Sequence, residues 1–179
     1  MDIVWRNLSP QKHTLEHLIL TPWHQVKSTI VGVMDQQSYT LTYTLNISED
    51  AHPSRLELEI SNLQRSLMIE RDRAGNWHDR QGQVITSLNN CTDVDISATP
   101  FTNTLPIRRL NLKIGKNKEI RVAWIAIPSL ELRTSNQRYT RLSKNRYQYE
   151  NLESGYVNSI FVDDDGLVML YPNLFERML

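Results

Sequence analysis

Alternation of apolar and polar residues is the feature that most constrains how this chain can fold. The pattern is clearest at residues 39–47, where aromatic or aliphatic side chains at every second position are separated by threonine or asparagine. Successive side chains of a β-strand point to opposite faces of a sheet, so this pattern predicts a strand with one buried and one wet face. Similar alternation predicts two further strands, at residues 55–60 and 109–114. The fold is therefore predicted to be mainly β, with antiparallel strands.

Two segments depart from strict alternation. Residues 26–34 and 120–127 carry apolar side chains at both odd and even positions. Such strands are expected near the centre of a sheet, where both faces are covered. This interpretation places Trp124 in the core.

Turns and helices follow from the residues between the strands. Residues 72–75, 114–118 and 163–166 combine glycine with aspartate, asparagine or lysine and predict hairpins. Capped helical periodicity over ten or more residues is missing, so we expect few helices, with short turns at most near residues 10–20 and after Pro172.

A length of 179 residues fits a single domain over residues 1–179. Residues 39–77 and 139–171 both run from a tyrosine-rich strand, through a polar stretch, to a turn that contains aspartate and ends in glycine. This similarity raises the possibility of an internal two-fold repeat.

Charge and composition exclude several classes of protein. Twenty basic and twenty acidic residues cancel, without a block of like charge that would gather nucleic acid. No run of apolar residues is long enough to span a membrane. Cys91, the single cysteine, cannot form an intramolecular disulfide, and residues 1–10 do not resemble a signal peptide, so we expect a cytoplasmic protein.

Motifs for cofactors, metals and nucleophilic catalysis are missing as well. The chain has six glycines and neither a glycine-rich phosphate loop nor a Gly-x-Ser-x-Gly elbow. The five histidines are scattered, and Asp163, Asp164 and Asp165 lack the alternating spacing of a calcium loop. We therefore expect no cofactor, no metal and no catalytic residue of these kinds.

The densest polar chemistry lies at residues 91–110. Asp93 and Asp95 share a strand parity and should project from one face. They could act as an acid/base pair on a sugar-like substrate, or they could pair with Arg108 or Arg109 and hold a rigid loop at residues 97–106. That loop contains Pro100 and Pro106, which favour extended backbone before them.

The two arginines differ in predicted orientation. Arg108 shares the parity of Leu110, Leu112 and Ile114, so it should begin at the end of an apolar face and need a partner. That partner is either Asp93 or Asp95, or a hydroxyl, phosphate or carboxylate of a ligand. We predict that Asp93 and Arg108 belong to one buried or half-buried cluster. Arg109 has the solvent parity and should be an ordinary surface or loop-anchoring residue.

Residues 91–110 also resemble the signature of a bacterial family named Putative glycolipid-binding. The resemblance extends along nearly the whole chain through Trp5-Arg6, Leu15-Glu16-His17-Leu18, Gly75-Asn76-Trp77, Gln137-Arg138-Tyr139-Thr140-Arg141-Leu142, Tyr147-Gln148-Tyr149 and Gly166-Leu167-Val168-Met169-Leu170-Tyr171-Pro172. It implies a strongly curved antiparallel sheet that forms an incomplete barrel, similar to bacterial lipoprotein carriers, whose concave face can hold an acyl chain. Those carriers have an export signal, which residues 1–10 do not resemble, so transport of lipid across the periplasm is not expected, and the alternatives are a cytoplasmic ligand or no ligand.

The combined expectation is non-enzymatic binding of an amphipathic molecule such as a glycolipid. The predicted ligand-binding residues are Asp93, Asp95, Asn103, Arg108, Tyr139 and Tyr149, because tyrosine couples an apolar ring to a polar tip and the others can hold a polar head. A carboxylate enzyme that uses Asp93 or Asp95, and a protein-interaction module, remain alternatives. The sequence gives no oligomeric state.

Overall fold

The computed structural model describes residues 1–34 and 36–179 and contains, within them, one sheet of fourteen strands and one α-helix. The predicted mainly β fold is confirmed. The elements in chain order are β1 (Asp2–Asn7), β2 (Lys12–Thr21), β3 (Gln25–Met34), β4 (Gln37–Ile47), β5 (Pro53–Ile60), β6 (Arg65–Arg71), β7 (Trp77–His78), β8 (Asp93–Ile96), α1 (Phe101–Leu110), β9 (Asn117–Ile125), β10 (Leu132–Ser143), β11 (Arg146–Asn151), β12 (Val157–Val162), β13 (Val168–Tyr171) and β14 (Phe175–Arg177).

The strands follow one another through the sheet in two runs. The first runs from β7 back to β1, which pairs with β14, and the second continues from β14 back to β8. Neighbours are antiparallel except β8 and β9, which are parallel. The sheet is curved and does not close into a barrel. The proposed internal repeat stays a prediction, since two runs of strands do not require a duplicated sequence.

Strand β4 shows how the alternation produces this sheet. Its tyrosine, leucine and isoleucine side chains at positions 39, 41, 43, 45 and 47 are buried, whereas Thr42 is exposed. The buried side chains contribute to a cluster that also contains Phe101 and Leu105 of α1. Ile107 of α1 joins a second cluster with side chains of β9 to β14. The helix therefore fills the middle of the concave side and joins the two runs of strands.

The two segments predicted to be covered on both faces of the sheet differ in their burial. In β9 the adjacent residues Val122 and Ala123 are both buried, as predicted, but Trp124 is only half-buried. In β3 the prediction is wrong, because Val31 and Val33 are 56% and 41% exposed. The helix covers only the concave side of the sheet, so the outer face of β3 stays open to solvent.

Two of the three predicted hairpins are confirmed. Residues 72–75 join β6 to β7, and residues 163–166 join β12 to β13. Residues 114–118 instead lead from α1 into β9, so the hairpin predicted there is wrong. Near residues 10–20 and after Pro172 the structure has short turns at residues 10–11 and 172–174, and β2 and β14 follow them. No helix among residues 1–34 and 36–179 is long and apolar enough to cross a membrane.

Candidate functional site

Helix α1 occupies the region that the sequence predicted as an extended loop and strand. Phe101 to Ile107 are all buried, including three polar side chains. The amide of Phe101 donates to the Thr99 hydroxyl at 3.1 Å, which satisfies one amide of the first turn. The free energy gained by burying this segment on every side outweighs the poor helix propensity of Pro106 and of the β-branched residues. Because every side is buried, the sequence lacks the alternation of apolar and polar faces by which a surface helix is recognised. The loop predicted at residues 97–106 is therefore helical from Phe101 onward, and the strand predicted at residues 109–114 is wrong.

This helix reverses the roles predicted for the two arginines. Arg109 forms an ion pair with Asp93, with Nε 3.3 Å from Oδ1, and the two side chains are 14% and 0% exposed. Arg108 lies instead over the Trp23 ring, at 3.2 Å from its centre, and donates to the carbonyl of Asp165. Consecutive residues of a helix are turned by about 100° rather than 180°, so strand parity does not apply. The predicted Asp93–Arg108 cluster is wrong.

Asp95 lies at a cleft that we call the aromatic cleft, with a volume of about 240 Å³. Its aromatic lining residues are Trp124, Tyr149, Tyr156, Tyr171 and Phe175. Its polar lining residues are Asp95, Ser97, Thr99, Asn103, Asn151 and Ser154. Three of the predicted ligand-binding residues, Asp95, Asn103 and Tyr149, thus border one space. Arg108 lines a separate polar cleft of about 270 Å³ with Arg141 and Lys144.

Asp95 shares one face of β8 with Asp93, as predicted, but has a different environment. Its carboxylate accepts hydrogen bonds from Gln137 at 2.7 Å and Thr102 at 3.1 Å. Burial raises the pKa of Asp95, and these two hydrogen bonds oppose the rise. A carboxylate with two oxygens can accept further bonds, so Asp95 can serve as an acceptor at the cleft wall.

Three hydrogen-bonded side chains lie behind the aromatic cleft. The amide of Asn103 donates to the Tyr139 hydroxyl at 2.8 Å, and that hydroxyl contacts Gln137 at 3.4 Å. The Tyr139 ring meets Tyr149 edge to face, with ring centres 5.6 Å apart. Burial raises the pKa of both tyrosines, so their hydroxyls stay protonated at neutral pH. Tyr139 therefore supports the cleft from behind while Tyr149 lines it.

A second cleft of about 320 Å³ adjoins the aromatic cleft and shares the lining residues Trp124, Asn151 and Ser154 with it. We call it the side cleft. Arg133 borders it and lies opposite Trp124 on the adjacent strand, with its guanidinium carbon 4.2 Å from the ring centre.

Glu16 is a buried acid that the sequence analysis did not single out. It is 2% exposed and accepts hydrogen bonds from Ser28 at 2.7 Å and Tyr43 at 2.8 Å. Its other oxygen has no partner among the described residues. Burial raises the pKa of Glu16 to about 7 despite the hydrogen bonds from Ser28 and Tyr43. The burial of Glu16 could have been predicted, because Glu16 has the same strand parity as the apolar residues Leu18 and Leu20.

Comparisons with known proteins agree with the resemblance noted in the sequence. A family model described as Putative glycolipid-binding matches residues 2–177. A crystal structure of a DUF1089 family protein from Pseudomonas aeruginosa is 38% identical to this chain, covers 92% of each chain and superposes with a TM-score of 0.86. The comparison with curated proteins gave no match.

Proposed function

The chain belongs to the Putative glycolipid-binding family, and from this membership and the aromatic cleft we propose that it binds, without catalysis, an amphipathic molecule that carries a sugar. The polar head lies in the aromatic cleft. The observation that carries this proposal is the position of Trp124 and Tyr156, both partly exposed, beside Asp95, Asn103 and Asn151. A sugar ring offers hydroxyls at its edge and C–H groups on its face, which suit polar and aromatic side chains respectively.

The dimensions of the cleft support a head group as its occupant. Its volume of about 240 Å³ is below the roughly 300–1,000 Å³ of pockets that enclose drug-sized molecules. The middle of the concave side is filled by Phe101 and Leu105 of α1. We therefore propose that the apolar part of the ligand lies outside the aromatic cleft.

The environment of Asp93 favours binding over acid/base catalysis by a pair of aspartates. A carboxylate pair needs both groups open to one substrate. Asp93 is fully buried and engaged by Arg109, so only Asp95 of the two borders the aromatic cleft.

Binding of octyl glucoside, below its critical micelle concentration, tests the proposal by titration calorimetry. Trp124→Ala should weaken binding about ten-fold or more, because truncating a central aromatic contact commonly costs at least about 2 kcal/mol. Lys144→Ala, in the separate polar cleft, is the matched control and should leave affinity unchanged. No binding by the parent protein, or equal losses in both folded variants, would reject the aromatic cleft as the site.

The cytoplasmic location expected from the sequence is part of this proposal. Cys91 is a free, buried thiol, and burial raises its pKa to about 11, so it is kept in the unreactive protonated form. Immunoblotting of fractionated cells should find the protein in the cytoplasm. Recovery from the periplasm would overturn this location.

A further inference from the structure

Arg133 is an exposed arginine that borders the side cleft. Its guanidinium lies against the Trp124 ring, yet among residues 1–34 and 36–179 no carboxylate lies within 4.0 Å of it and none of its N–H groups has an acceptor. Arg138 on the same strand is, in contrast, held by Glu119 at 2.6 Å and Glu150 at 2.7 Å. The charge of Arg133 is thus left available at the side cleft.

Stacking on Trp124 leaves the recognition edge of Arg133 free. A guanidinium that lies against an aromatic ring uses its planar face, whereas its N–H donors project from its rim. Those donors match the spacing of carboxylate and phosphate oxygens. The stacked ring also restricts the guanidinium, so less rotamer freedom is lost when an anion binds.

Glu153 is a carboxylate that borders the same side cleft, but its oxygens are engaged elsewhere. One oxygen accepts from the backbone amide and the side-chain amide of Asn136, both at 2.7 Å, and the other contacts the Ser135 hydroxyl at 3.4 Å. Glu153 therefore anchors the end of the β10–β11 pair. Arg133 is the cationic side chain in the lining of the side cleft.

The register of the sheet places opposite charges on the two sides of one ring. Asp95 pairs with Trp124 across β8 and β9, and Arg133 pairs with Trp124 across β9 and β10. Two strand spacings separate Asp95 from Arg133 by roughly 10 Å at the backbone. A sugar next to Trp124 can therefore offer hydroxyls to Asp95 at one end and an anionic group to Arg133 at the other.

We propose that the head group bound next to Trp124 is an acidic sugar, whose carboxylate or phosphate substituent is held by Arg133 in the side cleft. This inference rests on the proposed function, because it assigns a ligand class to the head group that the aromatic cleft is proposed to bind. A carboxylate and a phosphate monoester each present a pair of anionic oxygens, and such a pair can accept two hydrogen bonds from the planar guanidinium of Arg133.

Three probes with the same alkyl chain test the inference by titration calorimetry at low salt: octyl glucoside, octyl glucuronide and octyl glucoside 6-phosphate. The parent protein should bind at least one acidic probe about ten-fold to a hundred-fold more tightly than octyl glucoside, as expected for a charge-assisted hydrogen bond. Arg133→Gln should remove that preference, so that the acidic probe and octyl glucoside bind with affinities within about two-fold of each other. The acidic probe that shows the preference identifies carboxylate or phosphate as the substituent.

Arg73→Gln provides the matched control, because Arg73 is exposed in the turn between β6 and β7, away from both clefts. It removes the same charge and should leave all three affinities unchanged. Equal affinity for neutral and acidic probes, with no effect of Arg133→Gln, would overturn the acidic-sugar inference and leave the proposed function standing. Failure of every probe to bind would overturn both.

Discussion

Arg109→Ala should lower the free energy of unfolding by about 3–5 kcal/mol, which is the usual cost of removing one partner from a buried ion pair. Stability is lost because the carboxylate of Asp93, which is 0% exposed, would stay charged without the guanidinium of Arg109 beside it. For a chain of this size, the melting temperature should fall by about 6–20 °C. Urea denaturation and thermal unfolding measure the two quantities.

Arg108→Ala is the matched control for Arg109→Ala. Its guanidinium lies over Trp23 and bonds a carbonyl near the surface, so about 1–2 kcal/mol is expected from its removal. Adding Asp93→Asn to Arg109→Ala should recover part of the stability, because the uncompensated charge is then gone. Equal losses for the two arginines, or no recovery in the double variant, would contradict the assignment of Arg109 as the buried partner.

Glu16→Gln should stabilise the protein at neutral and higher pH by about 3 kcal/mol and leave it nearly unchanged near pH 4.5. The folded-state pKa of Glu16 is about 7, above the ordinary value of 4.5. Each pKa unit corresponds to about 1.4 kcal/mol. Glutamine resembles the protonated acid in shape and can accept the same bonds from Ser28 and Tyr43, but it does not ionise.

The sign of this pH dependence follows from proton binding. Between pH 4.5 and about 7 the folded protein holds a proton on Glu16 that the unfolded chain has released. The contribution of Glu16 to stability therefore falls as pH rises through this window and is constant above it. The difference between parent and variant in urea denaturation, measured from pH 4.5 to 8.5, isolates Glu16 from other titrating groups.

Glu59→Gln is the control for this profile, because Glu59 lies on the exposed face of β5. It should follow the parent protein at every pH. A Glu16→Gln profile parallel to that of the parent protein would show that Glu16 does not ionise in this window.

The presence of the strands and the turns at residues 72–75 and 163–166 could be predicted from the sequence, because both depend on residues that are close together in the chain. A strand such as β4 alternates apolar and polar residues because its side chains point to opposite faces of the sheet. A tight turn favours particular residues, such as glycine and aspartate, because of its own backbone angles. The burial of Glu16 could be predicted from its shared parity with Leu18 and Leu20, but its partners Ser28 and Tyr43 lie on other strands and could not.

The candidate site could be predicted only in part. Asp95, Asn103 and Tyr149 were identified from residue type and do border the aromatic cleft, although their role in binding remains a proposal. Arg133 was not identified, because its position beside Trp124 follows from the pairing of β9 with β10. No residue near Arg133 in the sequence signals that pairing.

By itself the sequence determined that the chain forms a sheet of alternating strands with a polar segment at residues 91–110. The tertiary structure alone decided that residues 101–110 are helical, that Arg109 rather than Arg108 binds Asp93, and that one face of β3 stays exposed. The physical reason is that burial on every side stabilises a helix without leaving an amphipathic pattern. Once that helix fills the concave side, it fixes which side chains find partners and which face of the sheet meets water.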